Sequence, residues 1–312
     1  MAAVITELTD DQKEQMPVYR DRAIANALRT DEANWERAEA CVIKMLAAAD
    51  IEVSEVLRAS GPIEAAQNGH ARAHALDGTG GRTLFQSSYY GSSVARNNFF
   101  VEVAGVQLDE TKEGHRKVLS DFVSSCGGAY LHSKFAIIYD RPSVLHIAMT
   151  GGAGVLHCED GPAIAWGRGE DGLFSPNTEN SVALYYWQGT KVPKSWIMEK
   201  PTTPRAMSER AAEVLATSNQ EALRAGCEIL GWVPVLESLG MKVLDQNENP
   251  AFGRLVTVDL PEAPGTKFLV AECGTGRTIA VLADPDATTA LEAGAASYGV
   301  PVQVYKKLKY RT

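Results

Sequence analysis

The segment from Phe135 to Trp196 constrains the fold most, because it consists of short apolar runs separated by turn residues. Phe135 to Tyr139 is wholly apolar, and two glycine-containing turns, Gly151-Gly152 and Gln188-Gly189, follow it at hairpin spacing. Runs of β-branched and aromatic residues bounded by such turns are typical of antiparallel strands. The segment therefore predicts a mostly antiparallel sheet built from hairpins.

The regions on either side of this segment have helical patterns. Helices are predicted at about 10–28, 31–49, 110–124, 208–216, 220–231 and 287–297. Pro17 lies inside the first of these and is expected to split or bend it. Gln86–Ser93 is polar and aromatic, which suits either a binding surface or rim or an ordinary loop. Phe99–Val106 predicts a strand.

Together these patterns predict an α+β fold: N-terminal helices, a central mostly antiparallel β-sheet with hairpins, and a C-terminal small α+β unit. A chain of 312 residues suffices for two ordinary domains or one large one. The parts are a mainly helical one at 1–134, a β-hairpin part at 135–200, and a helix pair with the α+β unit at 201–312. They form separate units or one continuous globular domain.

Charge and cysteine usage restrict the partners and the compartment. The net charge of −9 disfavours nucleic acid, because an acidic protein repels phosphate backbones. The five cysteines are dispersed without a Cys-x-x-Cys spacing, which indicates reduced thiols and no cysteine zinc site. No apolar run reaches the ~18–20 residues that span a bilayer, and the acidic start does not resemble a signal peptide. We therefore expect a cytoplasmic protein without a membrane segment.

Histidines are concentrated around the hairpin segment, where four of the six lie between His115 and His157. If the chain reverses at Gly151-Gly152, His146 faces His157 across an antiparallel pair, with Cβ atoms about 4.5–5.5 Å apart. Glu159 then lies on the same face as His157, because side chains alternate along a strand. The register predicts two imidazoles and a carboxylate on one patch.

This patch allows three interpretations. The three side chains can hold a divalent metal such as Zn²⁺ or Fe²⁺ with a position left open, or act as general acid and base without metal. In the third interpretation the histidines only hydrogen-bond backbone groups. Arg141 and Asp160 lie nearby in the same arrangement and are candidate substrate-binding residues for an anionic or polar group.

Further residues of the segment also have two interpretations each. Cys158 is a nucleophile if a histidine activates it, and otherwise an inert buried thiol. Several aromatic residues form either a wall for a ligand or the core of the hairpins. They are Trp166, Tyr185, Tyr186, Trp187 and Trp196.

The run Gly151-Gly152-Ala153-Gly154 lacks the third glycine and the following helix of a dinucleotide-binding loop, so the sequence has no nucleotide cofactor fingerprint.

Several spaced motifs resemble a bacterial domain family of unknown function that is common in actinobacteria and their phages and sometimes fused to leucine-rich repeats. The central motifs are Arg141-Pro142, Leu145-His146, Leu156-His157-x-Glu159-Asp160-Gly161-Pro162-Ala163 and Tyr185-x-Trp187-x-Gly189-x-x-Val192-Pro193. The outer motifs are Leu8-Thr9, Pro17-Val18-Tyr19-Arg20, Leu28-x-Thr30, Asn219-x-Glu221-x-x-Arg224-x-x-x-Glu228-x-x-Gly231 and Arg311-Thr312. The resemblance spans nearly the whole chain.

This resemblance implies no particular reaction. It adds Arg224 to the candidate substrate-binding residues, beside Trp187. The family pattern tends to have two adjacent arginines where this chain has Arg224-Ala225, and a compact turn where this chain has the long loop 167–181.

Two functions remain open from the sequence. One is an enzyme, a hydrolase or group transferase acting on a small polar molecule through His146, His157 and Glu159. The other is an interaction module of a phage or bacterium that binds a protein partner of its host, with the His/Glu motif structural. The first predicts a pocket of converging polar side chains, and the second predicts a broad surface patch.

Overall fold

A computed structural model describes residues 7–77, 83–260, 263–272 and 278–308. Its helices are α1 (Asp10–Ala27), α2 (Trp35–Ala47), α3 (Pro62–Asp77), α4 (Ser87–Glu102), α5 (Glu110–Val123), α6 (Lys194–Met198), α7 (Pro204–Leu215), α8 (Gln220–Leu230), α9 (Trp232–Ser238), α10 (Ala290–Ser297) and α11 (Val302–Tyr305). Of the sequence features above, Cys273 and the closing Arg311-Thr312 lie outside the described residues.

The strands are short and lie between these helices. They are β1 (Glu55–Ala59), β2 (Thr83–Gln86), β3 (Gly128–Leu131), β4 (Phe135–Tyr139), β5 (Val144–Leu145), β6 (Ile147–Thr150), β7 (Ala153–Leu156), β8 (Ile164–Trp166), β9 (Val182–Trp187), β10 (Thr190–Val192), β11 (Lys242–Gln246), β12 (Arg254–Leu260), β13 (Ala263–Glu272) and β14 (Thr278–Leu282). The predicted α+β class is confirmed, and the strands are distributed over several mostly antiparallel sheets.

The chain divides into two compact units. Unit 1 comprises residues 1–149 and 162–184, and unit 2 comprises residues 150–161 and 185–312. The hairpin part that we expected at 135–200 is therefore shared between them. Strand β9 begins in unit 1 and ends in unit 2.

Unit 1 is built around a four-stranded sheet in the order β1-β4-β3-β2, in which β1 and β4 are parallel. Every residue of β4 is buried, because helices cover both faces of the sheet. Ala136 and Ile138 pack in one cluster with Val42 of α2 and Phe122 of α5. The alternate residues of β4 pack with Ala65 and Ala73 of α3 on the opposite face. A strand that is buried on both faces has a continuous apolar sequence, as β4 does.

A second sheet of unit 1 continues from the end of β4. Val144 pairs with Ala165, and Ile164 pairs with Leu184, so β5, β8 and the first half of β9 form an antiparallel set. The long loop 167–181 is folded by its own hydrogen bonds, among them those from Gly169 N to Leu173 O and from Ser175 N to Gly167 O.

Unit 2 contains an antiparallel sheet in the order β11-β12-β13-β14. Its two faces alternate along β12: Leu255 packs with Ala290 of α10, while Val256 packs with Leu236 of α9. The helices α7, α8 and α9 precede this sheet in the chain. A Cβ atom added to Gly226 of α8 would lie 2.7 Å from side-chain atoms of both Trp196 and Val214, so α8 packs closely against its neighbours.

Three local predictions were wrong. The predicted loop Gln86–Ser93 and most of the predicted strand Phe99–Val106 form the single helix α4. Its buried residues include Ser87, Gly91 and Val94, which are spaced as on one face of a helix, so burial of this face overrides a weak intrinsic propensity. Pro17 does not split α1, because it is exposed and water can bind the carbonyl that loses its helical partner.

In the part of the chain that the structure describes, no helix has the length and apolar character needed to cross a bilayer.

Candidate functional site

The predicted chain reversal at Gly151-Gly152 is present between β6 and β7. Both glycines have positive φ angles, 57° and 82°, as a tight two-residue hairpin turn requires. His146 lies in unit 1 between β5 and β6, where its side chain is exposed and its backbone N–H donates to Ala163 O at 2.7 Å. His157 lies in unit 2, directly after β7. The face-to-face register of the two histidines stays a prediction.

The His157 side chain is 11% exposed and lies against the turn of the β9–β10 hairpin. Its Nδ1 accepts a hydrogen bond of 3.2 Å from Gln188 N, and its Nε2 lies 3.7 Å from Glu159 Oε1. Its ring meets the Trp187 ring edge to face, with centroids 4.7 Å apart and planes at 85°. Gly189 N donates to Leu156 O at 2.8 Å, which holds the end of β7 beside this turn.

Trp187 links the hairpin to helix α8. Its Nε1 donates to Glu228 Oε2 at 2.8 Å, and the other oxygen of Glu228 accepts from Arg224 Nη1 at 2.6 Å. Arg224 Nε also donates to Glu221 Oε2 at 3.4 Å. Helix α8 presents Glu221, Arg224 and Glu228 at spacings of three and four, which places them on one face.

The structure therefore brings together four of the residues singled out in the sequence: His157, Glu159, Trp187 and Arg224. They form a connected polar cluster in unit 2, and Glu228 completes it. Glu159 is 75% exposed and Arg224 is 43% exposed, so the cluster lies at the surface.

The hydrogen bonds of His157 define its chemistry. Because Nδ1 accepts from a backbone N–H, the neutral ring carries its proton on Nε2, which faces the Glu159 carboxylate. A general base needs an unprotonated nitrogen directed at substrate, and here the accepting nitrogen is already used by Gln188. The arrangement favours the third interpretation, in which the histidine fixes the hairpin.

The metal interpretation receives no support from the geometry. Among the residues described, no group of three or more His, Cys, Asp or Glu side chains is placed to hold a metal ion. Within unit 2, His157 is turned toward Trp187 and Gln188. The ligand set of His146, His157 and Glu159 stays a prediction, because His146 belongs to unit 1.

Arg141 is 4% exposed and binds groups of unit 1. Its Nη1 lies 3.2 Å from Asp31 Oδ2 and 3.1 Å from Glu32 O, and its Nη2 donates to Ser124 O. Burial lowers its pKa, an effect that the charge of Asp31 opposes. These contacts join distant parts of the chain, so a structural role for Arg141 is favoured over that of a substrate anchor.

Asp160 and Cys158 lie beside the cluster. The Cys158 thiol donates to Asp160 Oδ1 at 3.4 Å, and Cys158 N donates to Tyr186 O at 3.2 Å. Asp160 is exposed. Among the described residues the thiol has no hydrogen bond to a histidine, and the nucleophile interpretation stays a prediction.

Two of the five aromatic residues of the segment, Tyr185 and Trp196, belong to the core. Tyr185 is 9% exposed and Trp196 is 4% exposed, and the Trp196 indole donates to Glu213 Oε1 at 2.9 Å. A ligand wall needs exposed aromatic faces, which these two residues do not offer. The core interpretation is favoured for these two residues.

A second candidate site was missed by the sequence reasoning. Helices α1 and α4 of unit 1 pack side by side and leave an apolar groove, the α1/α4 groove, with a volume of about 350 Å³. From α1 its lining residues are Met16, Tyr19, Arg20, Ala23 and Ile24, and Leu8 adds to them from just before the helix. From α4 they are Ser92, Ala95, Arg96, Phe99 and Phe100. The spacing of Met16, Tyr19 and Ala23 was a signal that could have indicated this face.

The groove is open although its floor is apolar. Met16 is 49% exposed, Ile24 is 50% exposed and Phe100 is 38% exposed. Helix α1 has no buried residue and is held to the unit by polar contacts such as those from Gln12 Nε2 to Val103 O and from Tyr19 Oη to Glu102 Oε2. Burial, together with the hydrogen bond to Glu102, raises the pKa of Tyr19, so its hydroxyl remains a donor.

Charge at the groove is positive. Arg20 pairs with Asp21, whereas exposed Arg96 has no hydrogen-bond or ion-pair partner within the residues described. None of the described lining residues is a carboxylate.

Comparisons of this chain with protein-family models, with curated proteins and with solved structures find no match.

Proposed function

We propose that this chain is a protein-interaction module that binds an acidic, amphipathic helix of its partner in the α1/α4 groove. The observation that carries the proposal is an open apolar groove beside Arg96, an arginine without an ion-pair partner in the described part of the chain. A monomer rarely exposes a contiguous apolar patch without using it for binding.

The shape of the groove supports a helix as occupant. Two packed helices leave a furrow between them into which the apolar side chains of a third helix fit at spacings of three and four. Met16, Ile24 and Phe100 are exposed along this furrow, and they can bury against such a helix.

Charge supports an acidic occupant. A carboxylate beside Arg96 would supply the partner that this guanidinium lacks within the described part of the chain. In a dimer formed through this groove, Arg20 and Arg96 would instead lie close to the same arginines of the other copy, and these like charges would repel each other.

The enzyme hypothesis receives less support. Its histidine, His157, has one ring nitrogen bonded to the backbone and the other directed at Glu159. The cluster around Trp187 and Arg224 is explained by its contribution to the packing of the hairpin on α8. A hydrolase or transferase acting through His146, His157 and Glu159 would require these contacts to open.

The proposal includes two expectations from the sequence. Membership of the actinobacterial and phage family is proposed on the motif residues alone, and a partner from the bacterial host follows from it. A cytoplasmic site of action is proposed on the dispersed cysteines, of which Cys41, Cys126, Cys158 and Cys227 are free thiols.

Selection from a random library of displayed helical peptides tests this function. The selected peptide is synthesised, and its affinity for the full chain is compared with that for Met16→Glu and Val18→Glu variants. Val18 is the matched control, because it is 54% exposed on α1 and does not line the groove.

We expect acidic amphipathic sequences to be enriched, Met16→Glu to weaken binding at least about tenfold, and Val18→Glu to leave it unchanged. Equal affinities of the two variants, or no enrichment of acidic helices, would overturn the proposal.

A further inference from the structure

A second cavity of unit 1 contains polar groups that no part of the described chain satisfies. This cavity, called here the Ser87 cavity, has a volume of about 320 Å³ and is bounded by the start of α4, the end of α1, and strands β5 and β8. Cavities that hold small molecules begin at about 300 Å³. It is independent of the α1/α4 groove.

Ser87 is the first residue of α4 and is 3% exposed. Its Oγ is buried and has no strong hydrogen-bond partner among the residues described. The neighbouring Cys126 thiol is only a weak acceptor. Burial raises its pKa to about 12, and the hydrogen bond from Ser87 opposes this rise. The neutral thiol directs its own S–H at the carbonyl oxygens of Phe122 and Gly128. A buried hydroxyl without a strong partner is costly, so this one is a donor available to a ligand.

Trp166 of β8 supplies the second unpartnered donor. Its Nε1 is buried without a hydrogen-bond partner within the described chain, and its ring lines the cavity. The ring is held in place by Gly61, where an added Cβ would lie 2.7 Å from the Trp166 Cγ. The position of this N–H is therefore fixed by packing.

Helix α4 adds a positive end to the cavity. It has sixteen residues, and no side chain caps its start at Gln86. Ser87 N donates to Gly127 O, while the following N–H groups have no acceptor within the helix. The start of such a helix attracts anions.

The charged residues of the lining leave a net positive charge. They are Arg29, Asp140 and Arg141, two cations against one anion. The Asp140 carboxylate accepts hydrogen bonds from Ala33 N at 2.7 Å and from Arg168 Nε at 2.6 Å, and the charge of Arg168 offsets its own. The remaining lining is largely apolar and includes Leu145, Ile147 and Ile164.

We propose that the Ser87 cavity binds a small organic anion, with its carboxylate or phosphate head at the start of α4 and its apolar body against β5 and β8. Ser87 Oγ and Trp166 Nε1 donate to the bound molecule. Arg29 and Arg141 contribute charge, while their own hydrogen bonds stay within the unit.

Titration calorimetry on the full chain tests the proposal with four probes: phenylacetate, phenyl phosphate, neutral phenylacetamide and inorganic phosphate. We expect at least one aromatic anion to bind, phenylacetamide to bind at least about tenfold more weakly, and inorganic phosphate to bind weakly because it lacks the apolar body. The two aromatic anions distinguish a carboxylate from a phosphate head.

The variants Ser87→Ala and Trp166→Phe each remove one unpartnered donor and keep the packing. We expect each to weaken binding of the aromatic anion about tenfold. Because the lost group is unsatisfied in the free protein, the melting temperature of the ligand-free chain should stay the same or rise. Ser93→Ala, on α4 but outside the cavity lining, is the matched control and should change neither quantity.

Three results would overturn the proposal: no aromatic anion binding below about 1 mM, equal affinity for phenylacetamide, or variants that lower the melting temperature and leave affinity unchanged. The last result would show that the two groups serve only folding.

Discussion

The Trp187 indole N–H donates to the Glu228 carboxylate at 2.8 Å and so joins the β9–β10 hairpin to helix α8. The same indole ring makes an edge-to-face contact with the His157 ring. One side chain therefore connects the end of β7, the hairpin and the helix. These contacts favour a structural role for the His/Glu motif in unit 2.

The first prediction concerns this hydrogen bond. Trp187→Phe and Glu228→Gln should each lower the free energy of unfolding by about 1–2 kcal/mol, because a hydrogen bond to a carboxylate is lost or weakened. The double variant should cost less than the sum of the single variants. Urea titrations of the four proteins measure the coupling, and strictly additive effects would show that the two side chains do not interact.

The second prediction concerns His157. His157→Ala should lower the free energy of unfolding by about 1–3 kcal/mol, because Gln188 N loses its acceptor and Trp187 loses a ring contact. His157→Asn, whose side-chain oxygen can replace Nδ1 as acceptor, should recover part of the loss. Thermal and urea unfolding measure both effects. If His157→Ala leaves the free energy of unfolding unchanged, the motif is not structural and the enzyme hypothesis is favoured.

The third prediction is a pH dependence at Asp31. Hydrogen bonds from Arg29, with the charge of Arg141, hold the pKa of Asp31 below its ordinary value of 3.8. A depressed pKa stabilises the folded state at pH values above about 4, and this stabilisation is lost as the pH falls through the folded-state pKa. Asp31→Asn should be less stable than the parent chain at pH 7, with a difference that shrinks below pH 4. A difference that is the same at pH 7 and pH 3 would contradict the assignment.

The fourth prediction compares two helical glycines. An added Cβ at Gly69 of α3 would lie 2.6 Å from the Tyr130 ring, whereas one at Gly114 of α5 meets nothing within 4 Å. Gly69→Ala should destabilise the protein by about 1–3 kcal/mol through overpacking. Gly114→Ala should stabilise it by about 0.5–1 kcal/mol, because alanine favours the helix. Opposite signs in urea titrations are the expected result, and equal signs would contradict the packing of α3.

Local patterns predicted the strands that are bounded by turns. The bounds of β4 agree with the apolar run Phe135–Tyr139, and β9 and β10 flank the predicted turn Gln188-Gly189. Apolar runs and turn residues define these strands without reference to the rest of the chain. Helix α4 was misread because its serines and tyrosines have weak helical propensity. Only the burial of Ser87, Gly91 and Val94 on one face explains it.

The sites depend on contacts between distant residues. The residues of the bond between Trp187 and Glu228 are 41 positions apart, and those of the pair Asp31 and Arg141 are 110 positions apart. The sequence connected His157, Trp187 and Arg224 only because each lies in a motif of the same family resemblance. It did not show that His157 turns toward the hairpin, nor that Arg141 is buried. The α1/α4 groove escaped prediction because neither of its helices shows by itself which residues the other leaves uncovered.

The measurement that tests the central claim most directly is a charge exchange across the α1/α4 groove. The selected acidic peptide and a version with lysine in place of its acidic residue are each titrated against the parent chain and Arg96→Glu. If a carboxylate of the partner binds Arg96, each single exchange weakens binding about tenfold, and the two exchanges together restore much of it. Losses that simply add would contradict a partner helix bound beside Arg96.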